Sequence, residues 1–114
     1  MEKGFYDHAC FFAEQYVQLY IKAILYGVLG TYPRTHGIRE LLSILLRILP
    51  EDKARGLSDY IRANRPRVSE LEDAYIMARY TAKTYTRIDA EEILSFTREL
   101  VEKIKEALGG EQWL

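Results

Sequence analysis

Residues 5–29 read FYDHACFFAEQYVQLYIKAILYGVL, and the way this stretch folds decides how the rest of the chain is arranged. It contains no proline, and its pattern predicts one long α-helix. At 100° per residue the polar side chains gather on one narrow strip, and most of the remaining circumference is apolar. This polar strip consists of Asp7, Glu14, Gln15, Gln18 and Lys22. We expect the strip to be the solvated side, and the apolar remainder to be covered by a bundle or by a second subunit.

Four further helical segments are predicted after the first. Gly30 suits the left-handed cap that ends a helix, and a proline turn follows it. A second helix is predicted from Thr35 or His36 until Pro50 closes it, and a third from Glu51 to about Asn64.

The starts of the last two helices are predicted from their capping residues. Ser69 with Glu72, and Asp89 with Glu92, have the spacing of capping boxes. The pair Gly109–Gly110 ends the fifth helix. No stretch alternates with the period of a strand, so the sequence predicts an all-α fold. Because the connections are short, we expect an antiparallel up-and-down four-helix bundle with an additional short helix, forming one domain over residues 1–114.

Composition excludes several classes of protein. The net charge of −1 over 114 residues provides no global field for duplex nucleic acid or anionic lipid. The longest apolar stretch, Ala23 to Leu29, is far short of the roughly 20 residues that cross a bilayer. Cys10 is the only cysteine, which excludes an internal disulfide and agrees with a reducing compartment. We expect a soluble, cytoplasmic protein.

The residues that usually carry metal or nucleophilic chemistry are sparse. Cys10 lies among apolar neighbours, which favours an inert core thiol. His8 and His36 are the only histidines, and neither stands in a zinc-binding pattern. His36 is either a turn or cap residue at a helix start or a direct participant in a site. We expect no metal and no cofactor, and a bound nucleotide would have to be held by side chains or helix termini.

The stretch ARYTAKTYTRID, residues 78–89, is the best candidate for a ligand site. Arg79 and Lys83 are donors for phosphate, while Tyr80 and Tyr85 have flat rings on which a base can stack. A structural role for these residues remains open as an alternative. Lys22, amid much apolar surface, is a further candidate for holding a carboxylate or phosphate.

Two ordered segments match the pattern of a known family. The first is a helix followed by a proline turn and a Thr-His pair. Its matching positions are Ala9, Phe11 or Phe12, Gln15, Lys22-Ala23, Pro33, Thr35-His36 and Leu41. The second is a Y-x-x-x-R-Y segment with Tyr75, Arg79 and Tyr80, leading to a last helix that begins with acidic residues and alanine. Together they span nearly the whole chain, which resembles the HEPN domain family.

The resemblance implies a dimerising helical bundle, as a homodimer or a higher homo-oligomer. It also implies a small nucleotidyltransferase as partner, in a toxin–antitoxin or related module. Many members of the family are metal-independent endoribonucleases with an arginine, four to six residues, and then a histidine. In that arrangement the arginine stabilises the charge of the phosphorane, and the histidine moves protons in a cleft across the dimer.

This chain departs from the family pattern after Arg79. The positions of the histidine are occupied by Thr84, Tyr85 and Thr86, none of which titrates near neutrality. General acid–base catalysis contributes roughly 10²–10⁴ in rate, so the departure argues against an efficient ribonuclease. Related toxins are silenced by nucleotidylation of a tyrosine near the motif. Tyr85 is close to that place but not at the matching step, and it is a candidate modification site on this resemblance alone.

Three hypotheses follow from the sequence. The first is a non-catalytic or weakly catalytic dimer that binds a nucleotide, RNA or a nucleotidyltransferase. Its binding residues would be Arg79, Tyr80, Lys83, Tyr85 and Lys22. The second is a metal-independent endoribonuclease toxin that uses Arg79 with His36. The third is a helical dimer scaffold without a ligand site.

Overall fold

The computed structural model describes residues 2–31, 33–35, 37–80 and 85–109, with side chains from residue 5 onward except at 76–80. Its helices are α1 (Glu2–Leu29), α2 (Ile38–Ile48), α3 (Glu51–Ala63), α4 (Arg65–Tyr80) and α5 (Arg87–Ala107). No strand occurs in these described ranges. The all-α prediction is confirmed. None of the described helices is long and apolar enough to cross a membrane.

Two glycines end helices as the sequence predicted. Gly30 follows α1 with a φ of 79°, and Gly109 follows α5 with a φ of 83°. Both lie in the left-handed region, where a residue with a Cβ atom is strained. Pro50 separates α2 from α3 and precedes the first residue of α3. Gly30, Pro50 and Gly109 therefore set three of the helix boundaries.

The start of α4 was predicted wrongly. Helix α4 begins at Arg65, directly after Asn64, and not at a cap formed by Ser69. Pro66 is the second helical residue, where a proline is tolerated because the first amides of a helix have no partner within it. The backbone N–H of Val68 already donates to Asn64 O at 3.0 Å. The segment that the sequence indicated as a connection is the first turn of α4.

The start of α5 was predicted three residues too late. Thr86 is the N-cap, and its hydroxyl accepts from the backbone N–H of Asp89 at 3.1 Å. The carboxylate of Asp89 in turn accepts from Thr86 N at 2.9 Å, which completes a capping box. Asp89 is thus the third residue after the cap rather than the cap itself.

The direction of α2 departs from a simple up-and-down order. Arg39, in the first turn of α2, bonds to Glu72 of α4, and the charge of Glu72 acts on Glu14 in the middle of α1. At its other end α2 places Ile48 in a cavity that Ile24, near the end of α1, also lines. Helix α2 therefore runs in the same sense as α1. The strictly alternating order that we predicted is not what these contacts give.

One side of α1 forms the centre of the core. Val17, Ile21 and Leu25 are buried there against side chains from the other four helices. These include Leu41 and Leu45 of α2, Leu57 of α3, Leu71 of α4, and Leu100 and Ile104 of α5. The core thus depends on which side of α1 faces inward.

Two glycine-to-alanine substitutions test whether Gly30 is needed for its left-handed backbone conformation. Nothing lies within 4 Å of a Cβ atom added at Gly30 or at Gly56, so neither change causes a steric clash. We expect Gly30→Ala to lower the free energy of unfolding by about 1 kcal/mol, because its φ is positive. Gly56→Ala lies inside α3 and should raise it by about 0.5–1 kcal/mol. Urea unfolding followed by circular dichroism measures both, and equal effects of the same sign would contradict the assignment.

Candidate functional site

Two residues of the polar strip of α1 are buried and the other three are half-buried, which corrects the expectation that the strip is solvated. Glu14 is 0% exposed and Gln18 is 3% exposed. The side chain of Gln18 donates to Glu14 Oε2 at 2.6 Å, and that of Gln15 donates to Glu14 Oε1 at 2.8 Å. Each carboxylate oxygen of Glu14 therefore has a hydrogen-bond donor from the same helix. The strip is tolerated inside because its buried polar atoms are satisfied.

Glu14 is a buried carboxyl group whose pKa is raised by its surroundings. Its burial raises the pKa, and the nearby negative charge of Glu72 raises it further. The hydrogen bonds from Gln18 and Gln15 lower the pKa, as does the positive charge of Lys22, but burial is the largest cause. The side chain therefore prefers the protonated form more than an exposed glutamate does.

Glu72 of α4 connects the start of α2 to this region. It accepts from the backbone N–H of Arg39 at 2.9 Å, and the guanidinium of Arg39 lies 3.3 Å from its other oxygen. Thr35 stands just before this turn, where its hydroxyl donates to Glu40 at 2.6 Å. A Cβ atom added at Gly37 would lie 3.7 Å from Glu72 Oε1, an ordinary van der Waals contact with that side chain.

The amino end of α1 holds the corner between α4 and α5. The carboxylate of Asp7 accepts from the backbone N–H of Tyr85 at 2.8 Å. One turn further along α1, Phe11 stacks on Tyr75 of α4 with ring centroids 5.9 Å apart. Arg79 follows Tyr75 by one helical turn, so its backbone lies close to the level of Asp7. We call the end of α4 and the start of α5 the α4–α5 corner.

The structure describes only some of the predicted binding residues, and they do not all lie together. Arg79 and Tyr80 are the last residues of α4, but their side chains lie outside the described ones. Lys83 and His36 also lie outside the described residues. Lys22 is half-buried on α1, 15 residues and thus about 22 Å of helix rise beyond Asp7. Lys22 therefore does not belong to the corner.

Tyr85 does not provide the exposed ring that the sequence analysis expected. Its side chain is 2% exposed and belongs to the core. Burial raises the pKa of its hydroxyl to about 12, and the negative charges that act on it add to this effect. A side chain with so little exposed surface does not offer a free ring face for a base to stack on. The expected roles of Tyr85 in stacking and nucleotidylation are therefore not supported by its position.

The backbone next to His36 bears on the hypothesis that His36 and Arg79 form an active pair. Gly37, which follows His36 in the sequence, lies beside the carboxylate of Glu72, and its backbone N–H donates to the hydroxyl of Thr35 at 3.2 Å. Glu72 precedes Arg79 by seven residues, which places both on one face of α4 about 10 Å apart. The structure therefore brings Gly37 to the same helix face as Arg79, two turns away, while His36 itself lies outside the described residues.

An exposed apolar stripe on α1 lies outside the bundle, and the sequence did not distinguish this apolar side of the helix from the buried one. Its side chains are more than half exposed, at values between 53% and 65%. They are Phe5, Phe12, Tyr16, Leu19 and Tyr26. We call this set the α1 face. Four of the five recur every seven residues, which is the spacing of a coiled-coil seam, and this signal was readable from the sequence.

Metal chemistry has no support in the described part of the chain. No group of three or more His, Cys, Asp or Glu side chains there could hold a metal ion. Cys10 is buried, as the sequence predicted.

Comparison with known families agrees with the helical architecture. The family model of the HEPN domain matches residues 1–107. The chain therefore belongs to the HEPN domain family. Searches of curated proteins and of solved structures found no significant match.

The raised pKa of Glu14 predicts how stability depends on pH. Because the folded-state pKa is raised above its ordinary value of 4.5, the wild-type protein loses stability as the pH rises through the folded-state pKa. The variant Glu14→Gln cannot ionise and escapes this loss. We expect it to be more stable than the wild type near neutrality, with the difference disappearing as the pH falls toward 4.5. Urea unfolding across this pH range measures the difference.

A control separates this effect from a general loss of charge. Glu92→Gln removes an exposed carboxylate from α5. It should change the free energy of unfolding by less than about 0.5 kcal/mol throughout. If the free energy of unfolding of Glu14→Gln were below that of the wild type by the same amount at every pH, the ionised carboxylate would be tolerated at this position.

Proposed function

We propose that this HEPN domain acts as a symmetric dimer that pairs through the α1 face and binds RNA or a nucleotide at the α4–α5 corner. The α1 face is the observation that carries the proposal. Monomeric proteins rarely leave so continuous an apolar stripe in water, and such patches commonly mark contacts with other molecules. We propose that a second copy of the chain covers the α1 face, because every copy carries the same apolar side chains at seven-residue spacing.

The size of the α1 face is sufficient for a modest interface. A large aromatic side chain buries about 150–250 Å². With rather more than half of each of the five side chains exposed, one copy offers on the order of 500–600 Å². Two copies would bury about 1,000–1,200 Å², which is at the lower end for specific protein interfaces. Neighbouring apolar side chains at the end of α1, Val28 and Leu29, would add to this area.

The ligand part of the proposal rests on residue chemistry at the corner. Arg79, Tyr80 and Lys83 combine forked and single cationic donors with an aromatic ring. The hydrogen bond from Tyr85 to Asp7 and the capping box of Thr86 hold the backbone that follows them. With no histidine at positions 84–86, we propose binding with little or no catalysis.

The rival functions differ in what they require. An endoribonuclease that uses Arg79 with His36 would need the two side chains to meet across the two turns of α4 or across the dimer. A scaffold would need only the α1 face. A small nucleotidyltransferase in a toxin–antitoxin module remains the protein partner that we propose, on the family resemblance alone.

Disruption of the α1 face tests the dimer. Phe12→Glu combined with Leu19→Glu places two carboxylates on the seam of each copy. We expect the dimer dissociation constant to rise at least about a hundredfold, which corresponds to about 3 kcal/mol. Sedimentation velocity over a range of concentrations measures the change. The matched control is Ile88→Glu on α5, where an apolar side chain that is 66% exposed receives the same charge outside the α1 face. A wild-type chain that stays at 13.3 kDa at every concentration would contradict the dimer.

Substitution of Arg79 tests the ligand site. We expect Arg79→Ala to weaken binding of a fluorescently labelled single-stranded RNA, or of ATP, by about ten- to a hundredfold, because a charge-assisted contact to phosphate contributes about 1.5–3 kcal/mol. Fluorescence anisotropy and calorimetry measure the two ligands. Arg98→Ala removes an exposed arginine from α5 and should leave both affinities unchanged.

Gel analysis of the same RNA mixtures distinguishes the rivals. Cleavage that is lost in both Arg79→Ala and His36→Ala would favour the endoribonuclease. The absence of binding and of cleavage in the wild type would favour the scaffold.

A further inference from the structure

A groove of about 230 Å³ lies between α2, α3 and α4, and no residue of α1 lines it. Its floor is apolar, with Leu42 and Val68 buried at the base and Leu46 and Ile61 half-buried beside them. Its rim is polar. We call this feature the α2–α4 groove.

The two walls of the groove carry the same pair of residue types. On α2, Arg39 precedes Ser43 by four residues, and on α4, Arg65 precedes Ser69 by four residues. Residues four apart share one face of a helix, so each wall presents a guanidinium and a hydroxyl to the groove. Among the described residues, no carboxylate lines it.

The two arginines differ in how far their charge is compensated. The guanidinium of Arg39 is held by Glu72 at 3.3 Å. Arg65 is exposed and forms no ion pair with any residue in the described part of the chain. The end of the groove beside Arg65 is therefore positively charged and the end beside Arg39 is nearly neutral. This asymmetry favours a ligand with a negative charge at one end.

The volume of the groove decides between classes of ligand. Pockets that hold drug-sized molecules have volumes of about 300–1,000 Å³, and the groove, at 230 Å³, lies below this range. It is suited to a single large apolar side chain. Protein interfaces commonly anchor one such side chain in a pocket and surround it with charged and polar groups.

We propose that the α2–α4 groove is a docking site for an acidic segment of a partner protein. One large apolar side chain of that segment would occupy the floor formed by Leu42 and Val68. A carboxylate one helical turn away from it would pair with Arg65, and the two serine hydroxyls would bond to polar groups at the rim. The groove shares no described residue with the α1 face or the α4–α5 corner, so this contact is independent of the dimer and of the RNA site.

The test uses a defined peptide and the full-length chain labelled with ¹⁵N. The probe is an alanine-based helical peptide with blocked ends, carrying one phenylalanine and a glutamate one turn after it. Two further peptides replace either the phenylalanine by alanine or the glutamate by glutamine. Titrations followed by NMR should shift the backbone amides of Ser43, Leu46, Val68 and Ser69 in a saturable way. The peptide without phenylalanine should produce no saturable shifts.

The protein variant Arg65→Ala identifies the ion pair. We expect the glutamine peptide to bind the wild type about fivefold more weakly than the glutamate peptide. The two peptides should bind Arg65→Ala with equal affinity, because the charge that distinguishes them is gone. Arg98→Ala is the matched control and should keep the fivefold difference. Because Arg65 is exposed, circular dichroism should be unchanged in the variant.

Four results would overturn the proposal. The first is saturable shifts confined to the α1 face or the α4–α5 corner, and the second is a fivefold difference that persists in Arg65→Ala. The third is displacement of the peptide from the groove by single-stranded RNA, which would assign the groove to nucleic acid. A second variant, Leu46→Glu, should abolish peptide binding by placing a charge on the apolar floor. Retained binding in this variant would also contradict the assignment.

Discussion

The rotation of α1 about its own axis is the constraint on which the rest of the structure depends. With Val17 and Ile21 turned inward, Glu14 and Gln18 are also carried into the interior. Their burial is tolerated because the amide of Gln18 bonds the carboxylate and the pKa of Glu14 is raised. A buried carboxyl without such donors would cost several kcal/mol. The same rotation turns the α1 face outward and leaves it exposed in a single chain.

The helices themselves could be largely predicted from the sequence, because their ends are marked by residues with a strong backbone preference. Gly30, Pro50 and Gly109 each end or separate a helix where the sequence placed the break. The capping boxes were less informative. The spacing of Ser69 and Glu72 is that of a cap, yet Glu72 bonds to α2 instead, a contact between residues 33 positions apart that sequence spacing does not encode.

The environment of the candidate site was harder to predict than the fold, for two physical reasons. First, more than half of the circumference of α1 is apolar, so periodicity alone does not decide which apolar side is buried. Second, a tyrosine beside cationic residues is compatible with a binding surface and with a core position alike. Tyr85 takes the core position because Asp7 accepts its backbone N–H and draws the start of α5 against α1. Tertiary contacts therefore determine both which side of α1 is buried and where Tyr85 lies.

The arrangement of the surfaces has a consequence for how the domain could work. The α1 face belongs to a single helix, whereas the α2–α4 groove is lined by three other helices and by no residue of α1. A dimer formed through α1 would therefore leave both copies of the groove open. Two docking sites related by one symmetry axis would bind a two-headed partner more tightly than either site alone, since the second contact is intramolecular. Pairing through α1 would in this way strengthen a weak contact made elsewhere on the bundle.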